Sequence, residues 1–182
     1  DGFLSNGSAG DMTINHSTVT AGISGPGTFN NNGNILQASL NDFSVALGSF
    51  SNNGNIGISN GNFLLQSPAL FDIGSLAVAA GATFTVDNGA SLFTGSTFGG
   101  ISGGGSLVVN AGGLLDFDVW FGKDLSSLLS FDINGGTVRN VQDTLLPNSF
   151  NLSGTALVQG DGTLQIPSTT TVTVNGGTFS GL

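Results

Sequence analysis

The sequence predicts an all-β fold, a right-handed parallel β-helix of roughly eight or nine irregular turns, with a β-sandwich as the alternative. Two stretches, FNNNGNI starting at Phe29 and FSNNGNI starting at Phe50, nearly coincide when superimposed, and their spacing is typical of one solenoid coil. Segments such as ATFTVDNG, SLVVNAGG and TVTVNGG alternate apolar and small polar residues and end in Gly or Asn, as β-strands do. The sequence therefore indicates short strands that recur on successive coils.

The opening pair of stretches predicts a ladder of identical side chains. In a coil of this length, three Asn of the first stretch lie beneath three Asn of the second, and stacked amides hydrogen-bond along such a ladder. Phe71 follows Phe50 at the same spacing at which Phe50 follows Phe29, so the pattern also predicts an internal aromatic column of these three. The predicted ladder residues are Phe29, Asn31, Asn32, Asn34, Phe50, Asn52, Asn53 and Asn55.

A second repeat aligns residues 75–86, 106–117 and 163–174 without gaps, so that Leu76, Leu107 and Leu164 share one position. Two short strands around a corner describe all three segments. This matched pattern favours the coil over a sandwich, which mixes loop lengths and has no need of stacked identical corners.

Asn-Gly pairs mark a third repeat, at 58–63, 133–138 and 174–179. Gly adopts positive φ without a Cβ penalty and Asn tolerates the left-handed region, so these pairs predict corners between strands. The one stretch with helical spacing is 122–131, where Leu125, Leu128 and Leu129 predict a short turn of helix.

Composition excludes several functions. Two Lys plus Arg against 11 Asp give a net charge of -9, which opposes binding to nucleic acid or anionic lipid. The chain has no Cys and no apolar run long enough to cross a bilayer, so we expect no direct membrane insertion of this segment. We expect residues 1–182 to form a single β-solenoid domain or a segment of a longer rod, with 1–20 as a cap or an irregular start.

Phrases such as SGPGTFNNNGNI, ISGGGSLVVNAGGLLDF and QGDGTLQIPSTTTVTVNGGTF resemble the degenerate repeats of bacterial surface adhesins and autotransporter passenger domains. The resemblance is one of repeat style and covers most of the chain from about Gly22 onward. It implies a β-helical stalk or adhesive rod exported to the bacterial cell surface. It implies no catalytic residue.

The densest polar cluster lies in LLDFDVWFGKD at 114–124. Strand alternation places Asp116, Asp118 and Trp120 together on the outer face. Two carboxylates roughly 7 Å apart beside a Trp suit sugar binding, Ca²⁺ binding or acid–base cleavage of a polysaccharide. The alternative is that the two Asp are solvated and discourage edge pairing. We expect Lys123 and Arg139 to pair with nearby Asp.

Other chemical motifs are weak. His16 is far from the Asp-rich segment, and the Ca²⁺-coil motif is approached only once, at 160–164, so we expect no catalytic residue, metal or cofactor. The Thr run at 169–173 would indicate ice binding only if Thr recurred in the same register on several turns.

The sequence analysis therefore favours a non-enzymatic extracellular protein, either a segment of an adhesin passenger or a subunit of a surface fibre. The expected partners are a host or glycan surface, or further copies that add head to tail. The alternative is a carbohydrate-binding or carbohydrate-cleaving β-helix protein that uses Asp116, Asp118 and Trp120.

Overall fold

The computed structural model describes residues 3–7, 10–15, 20–68, 70–72, 74–94, 100–117, 123–139 and 141–182, with the backbone alone for 3–6, 20 and 70–72. These residues form a β-solenoid of about 7 turns without a helix, and no described segment is a helix that could cross a membrane. The predicted β-solenoid is confirmed. Every pair of strands in the described chain is parallel, whereas the hairpins of a sandwich would pair antiparallel.

The described residues contain twenty strands, most of them two to five residues long. In chain order they are β1 (Phe3–Asn6), β2 (Asp11–Ile14), β3 (Thr20–Asn31), β4 (Asn34–Gln37), β5 (Asp42–Asn52), β6 (Asn55–Ile58), β7 (Asn62–Leu65), β8 (Leu70–Asp72), β9 (Ser75–Val78), β10 (Thr83–Val86), β11 (Ser91–Thr94), β12 (Ile101–Ser102), β13 (Ser106–Asn110), β14 (Leu114–Asp116), β15 (Ser130–Asn134), β16 (Thr137–Arg139), β17 (Thr144–Leu145), β18 (Ser149–Gln159), β19 (Leu164–Gln165) and β20 (Thr171–Ser180).

The strands stack into three faces. Face 1 contains β7, β10, β13, β15 and the first halves of β3, β5, β18 and β20, and face 2 contains β1, β8, β11, β14, β16 and the second halves of those four long strands. The long strands bend from one face to the other, with register shifts between Gly25 and Thr28 and between Gly154 and Leu157. Face 3 contains β2, β4, β6, β9 and β12, and further along the chain β17 and β19.

Coil length varies along the chain. Phe29 lies opposite Phe50, an offset of 21, but Ser130 lies opposite Ser149, an offset of 19, and Leu76 lies opposite Ile101, an offset of 25. The coils are therefore irregular, as the sequence predicts, and their lengths lie on both sides of the period of 21.

One type of corner recurs on several edges of the solenoid. The amide of Ala82 donates to the carbonyl of Ala79, and the amide of Gly113 donates to that of Asn110. Gly81 and Gly112 occupy the third position of these turns at φ 82° and 80°, as a type II turn requires. The same strand–turn–strand unit thus fits two different edges of the coil, between faces 3 and 1 and between faces 1 and 2.

Because of this interchangeability, Leu76 and Leu107 share one position of the sequence repeat but lie on different faces. Leu76 lies on face 3 opposite Ile56 and Ile101, whereas Leu107 lies on face 1 opposite Phe84 and Phe131. The segments 75–86 and 106–117 are similar in sequence because both turn one corner, but they turn different corners.

The core is a set of apolar columns inside the three faces. Phe43, Phe63, Phe84, Leu107 and Phe131 stack in register on face 1, and all five are buried. Burial of one such side chain contributes about 1.5–3 kcal/mol relative to leaving it exposed.

The predicted helical turn at 122–131 is wrong for its described part. Residues 123–129 contain a single turn in which the amide of Leu128 donates to the carbonyl of Leu125. Leu125 and Leu128 are buried and Leu129 is exposed. The three-residue spacing therefore places two Leu in the core without a helix.

Candidate functional site

The corner that follows face 2 contains a pair of buried asparagines. Asn31 and Asn52 are opposite each other at the ends of β3 and β5, and both are fully buried. Asn31 Nδ2 donates to Asn52 Oδ1 at 2.6 Å and to the carbonyl of Gly33 at 3.1 Å, and Asn52 Nδ2 donates to the carbonyl of Gly54 at 3.2 Å. Each amide thus bonds both the neighbouring coil and its own corner, so the pair sets the register of the two coils.

The exposed asparagines of the same corner form two outer ladders. Asn53 Nδ2 donates to Asn32 Oδ1 at 2.8 Å. Asn55 Nδ2 donates to Asn34 Oδ1 at 2.8 Å, and Asn34 Nδ2 donates to a carboxylate oxygen of Asp11 at 2.7 Å. The predicted ladder residues therefore do lie opposite one another, and Asp11 is an acceptor at the end of the second ladder that the sequence reasoning missed.

The aromatic column on face 2 is shorter than predicted. The rings of Phe29 and Phe50 stack with centroids 5.2 Å apart and planes 21° apart. The residue opposite Phe50 on the next coil is Leu70, whereas Phe71 lies opposite Ser51. The prediction for Phe71 is wrong because this coil is one residue shorter than the coil before it, and a shift of one residue exchanges the two sides of a strand.

A second aromatic column on face 1 was not found from the sequence. Phe63 and Phe84 stack with centroids 5.6 Å apart and planes 16° apart, and Phe43 lies 5.7 Å from Phe63 at 53°. The spacing of Phe at 43, 63 and 84 is close to one coil and was a usable signal.

Of the candidate cluster at Asp116, Asp118 and Trp120, only Asp116 is among the described residues. Its neighbours Leu115 and Phe117 are buried, so Asp116 lies on the outer side of β14. Asp116 Oδ2 is 4.0 Å from Arg139 Nε on the adjacent strand β16. The expectation that Arg139 pairs with a nearby Asp is met. Asp118, Trp120 and His16 lie outside the described residues.

A carboxylate between two amides forms another outer column on face 1. Gln66 Nε2 donates to Asp87 Oδ2 at 3.0 Å, and Asn110 Nδ2 donates to Asp87 Oδ1 at 3.2 Å. The hydrogen bond from Gln66 is the main cause that lowers the pKa of Asp87 below its ordinary value, with further donors at Asn110 and Asn88. Similarly, hydrogen bonds from the hydroxyl and the amide of Ser126 lower the pKa of Asp124.

Hydroxyl groups recur in register along face 1. The column that ends at Thr171 contains Thr83, Ser106, Ser130 and Ser149 on the four preceding coils. The neighbouring column contains Thr85, Val108, Asp132, Asn151 and Thr173. Because a carboxylate and an apolar side chain interrupt the second column, the face is not the uniform Thr array that ice binding would need.

A shallow depression of about 340 Å³ lies on the outside of face 3. The side chains of Asp11, Asn34 and Asn55 along it already hydrogen-bond one another. The amide ladder thus satisfies much of the polar surface that a ligand would use. The lining residues are Asp11, Met12, Thr13, Asn34, Ile35, Leu36, Asn55 and Gly57.

The last described coil is exposed on its inner side. Val172 and Val174 on β20 are 40% and 52% exposed, whereas Phe150 and Leu152, opposite them on β18, are 1% and 0% exposed. Phe179 is likewise 43% exposed, and its partner Val158 is buried. The positions that point into the core on earlier coils are therefore uncovered on this coil.

In the described parts of the chain, no three His or Asp side chains lie close enough together to hold a metal ion. Comparisons of the chain with models of protein families, with curated proteins and with solved structures find no match.

Proposed function

We propose that the chain is a non-enzymatic structural element of an extracellular rod, either a segment of a surface-adhesin passenger or a subunit of a surface fibre. In both cases the solenoid continues beyond its last coil. The rod is stiff because parallel ladders and amide columns connect each coil to the next, and it presents a long surface of low charge for adhesion.

The observation that carries the proposal is the uncovered edge of β20. Its inner side chains Val172, Val174 and Phe179 are about half exposed, and the strand pairs only with β18 among the described residues. The strand β20 itself contains no charged residue and no Pro. Edge strands that must stay unpaired usually have Lys, Pro or a bulge to prevent pairing, so this edge is suited to accept another coil.

The geometry of the edge favours a β-coil as the occupant. A strand that adds in parallel to β20 satisfies the free backbone groups and covers the alternate apolar side chains Val172 and Val174. A further coil of the same kind also continues the hydroxyl column that ends at Thr171. The Asp116–Arg139 ion pair supports a structural role for this part of face 2, since the carboxylate already has a cationic partner.

Association of the purified chain tests the proposal. We expect sedimentation velocity to show species that grow with concentration, and negative-stain microscopy to show particles joined end to end. Val174→Lys places a charge at the uncovered edge and should abolish this association. Leu129→Lys is the matched control, since Leu129 is 55% exposed on the side of the solenoid, and it should associate like the wild type. Monodisperse wild-type particles at high concentration, or equal loss in both variants, would contradict the proposal.

A further inference from the structure

The hydrogen-bond ladder of face 3 is interrupted in the middle of the solenoid. Strand β12 pairs with β9 on the preceding coil, and Asp124 forms a parallel bridge with Leu145 on the following coil. Among the described residues, however, no backbone hydrogen bond joins β12 to residues 123–126. From β2 to β19, every other pair of successive coils in the described chain is joined on this face.

The register on face 1 shows which residues meet at this interruption. Ser106 lies opposite Ser130, and Ile101 and Leu125 each precede one of these two residues by five positions. Ile101 and Leu125 are 3% and 1% exposed and belong to the apolar core. We call the boundary between Ile101 and Leu125 the seam, because apolar side chains line it and no ladder crosses it.

The next step along face 3 shows the pairing that the seam lacks. The amide of Leu145 donates to the carbonyl of Lys123 at 2.8 Å, and the carbonyl of Leu145 accepts from the amide of Leu125 at 2.9 Å. A residue of a parallel ladder thus bonds the two residues that flank a position on the neighbouring strand. By the same pattern, the carbonyl of Ile101 would accept from the amide of Ser126.

Asp124 already holds that amide. The backbone amide of Ser126 donates to Asp124 Oδ1 at 2.9 Å, and its hydroxyl donates to the same oxygen at 2.6 Å. These hydrogen bonds lower the pKa of Asp124, so they favour the charged carboxylate. The chain then turns, with the amide of Leu128 donating to the carbonyl of Leu125 at 3.0 Å. A local side-chain acceptor therefore replaces the ladder at this point.

The other two faces remain joined at the same step. Strands β13 and β15 pair over five residues on face 1, and β11 and β14 pair over three residues on face 2. These two faces meet at the edge formed by residues 110–114, between β13 and β14. The coils on the two sides of the seam are thus connected around that edge and are separable only on face 3.

We propose that the seam is a hinge built into the rod, which bends by opening on face 3, and that Asp124 keeps the seam unpaired by holding the amide of Ser126. Each coil of a solenoid contacts only its neighbours, so bending at one step leaves the coils on either side intact. The hinge does not rest on the proposed function. A further coil on β20 would leave it unchanged, because the seam lies between coils that are both covered.

Amide hydrogen exchange of the folded chain, resolved by residue with NMR at a concentration where it sediments as a monomer, tests the hinge. Leu76 is the matched control, since it lies opposite Ile101, is 1% exposed, and its amide donates to the carbonyl of Gly100 at 3.1 Å. We expect the amide of Ile101 to exchange at least about tenfold faster, because opening of the seam exposes it without unfolding of the coils. Equal protection of the two amides would overturn the hinge.

The variant Asp124→Ala tests the role of the carboxylate. Without its local acceptor, the amide of Ser126 is free to donate to the carbonyl of Ile101, so exchange at Ile101 should slow toward the rate at Leu76. Asp161→Ala removes an equal charge from an exposed corner and should leave exchange at Ile101 as it is in the wild type. Unchanged or faster exchange at Ile101 in Asp124→Ala would show that Asp124 does not keep the seam unpaired.

Pairs of spin labels measure the bending itself. Ser102 and Ser127 are exposed on the two sides of the seam, whereas Ala77 and Ser102 are exposed and paired across joined coils. We expect a broader distribution of label separations for the first pair, and Asp124→Ala should narrow it. Equal widths for the two pairs would contradict the hinge. Failure of end-to-end association would leave these results unchanged, so the hinge and the proposed function fail separately.

Discussion

Asn31 Nδ2 donates a 2.6 Å hydrogen bond to Asn52 Oδ1 on the next coil, and both side chains are fully buried. A buried amide is costly unless its donors and acceptors are paired. Here the amides also satisfy the carbonyls of Gly33 and Gly54 at the corner. Each of these carbonyls also accepts a backbone amide of the next coil, from Asn55 at 2.9 Å and from Ser75 at 3.0 Å, so the buried pair adds a second hydrogen bond at each corner.

The buried pair gives a direct mutational test. We expect Asn52→Ala to lower the free energy of unfolding by about 2–3 kcal/mol, because it leaves the donor of Asn31 and the carbonyl of Gly54 without this partner. Asn53→Ala removes an exposed ladder amide and should cost less than about 1 kcal/mol. Denaturant unfolding of both variants measures the difference, and equal costs would show that burial of the ladder is unimportant.

Close packing of the corner backbones gives a second test. A Cβ at Gly54 would lie 1.9 Å from the carbonyl oxygen of Gly33, and backbone cannot move aside as a side chain can. We expect Gly54→Ala to destabilise the protein by about 3 kcal/mol or more, or to prevent folding.

Gly57→Ala is the control on the same coil. Its Cβ would meet only Leu36 Cδ1, at 3.4 Å, and the Ile35 carbonyl oxygen, at 3.8 Å, and Ala restricts the unfolded chain more than Gly does. The thermal midpoint should therefore stay the same or rise slightly. A Gly54→Ala variant as stable as Gly57→Ala would show that the coils can separate at this corner.

Protonation of Asp87 should contribute to unfolding in acid. Its pKa is lowered in the folded state, chiefly by the hydrogen bond from Gln66, so its stabilising effect is complete above the ordinary Asp pKa of about 3.9. The effect is lost as the pH falls through the lower folded-state value. Asp87→Asn should therefore have a lower free energy of unfolding than the wild type at neutral pH. This difference between the two proteins should disappear in acid.

Denaturant unfolding across a pH series measures this gap. Asp161→Asn removes an equal charge from an exposed corner and controls for the change in net charge. If the gap between the wild type and Asp87→Asn is constant with pH, the amide donors at Gln66 and Asn110 do not favour the charged form.

The Asp116–Arg139 pair should contribute little to stability. Its two atoms are 4.0 Å apart and the Arg side chain is 44% exposed, and exposed pairs of this kind are worth at most about 1 kcal/mol. We expect Arg139→Met to change the free energy of unfolding by less than that. A decrease of more than about 2 kcal/mol in the free energy of unfolding would instead indicate a tightly coupled polar network on this part of face 2.

Glycan-array binding tests the alternative function of the same cluster. We expect no difference between the wild type and Asp118→Asn, and no depolymerisation of polysaccharides by either. Binding that the variant loses would favour the carbohydrate-binding alternative.

Local sequence predicted the parallel coils where neighbouring coils have nearly equal length. FNNNGNI starts at Phe29 and FSNNGNI at Phe50, and because nothing is inserted between them, their spacing along the chain equals their register in space. Phe29, Asn31, Asn32 and Asn34 could therefore be matched to their partners directly. Asn-Gly and similar pairs likewise indicated corners, because the requirement for positive φ is local.

Only the tertiary structure decided the register of the coils after Phe50 and the exposure of the last described coil. The coil after Phe50 is one residue shorter than the coil before it, which puts Leu70 rather than Phe71 opposite Phe50, and no local pattern records such a change in a corner. The turn unit shared by 75–86 and 106–117 fits more than one edge, so similarity alone could not assign its face. The exposure of Val172, Val174 and Asn175 arises from the lack of a following described coil, because β20 has the same local pattern as the buried strands beneath it.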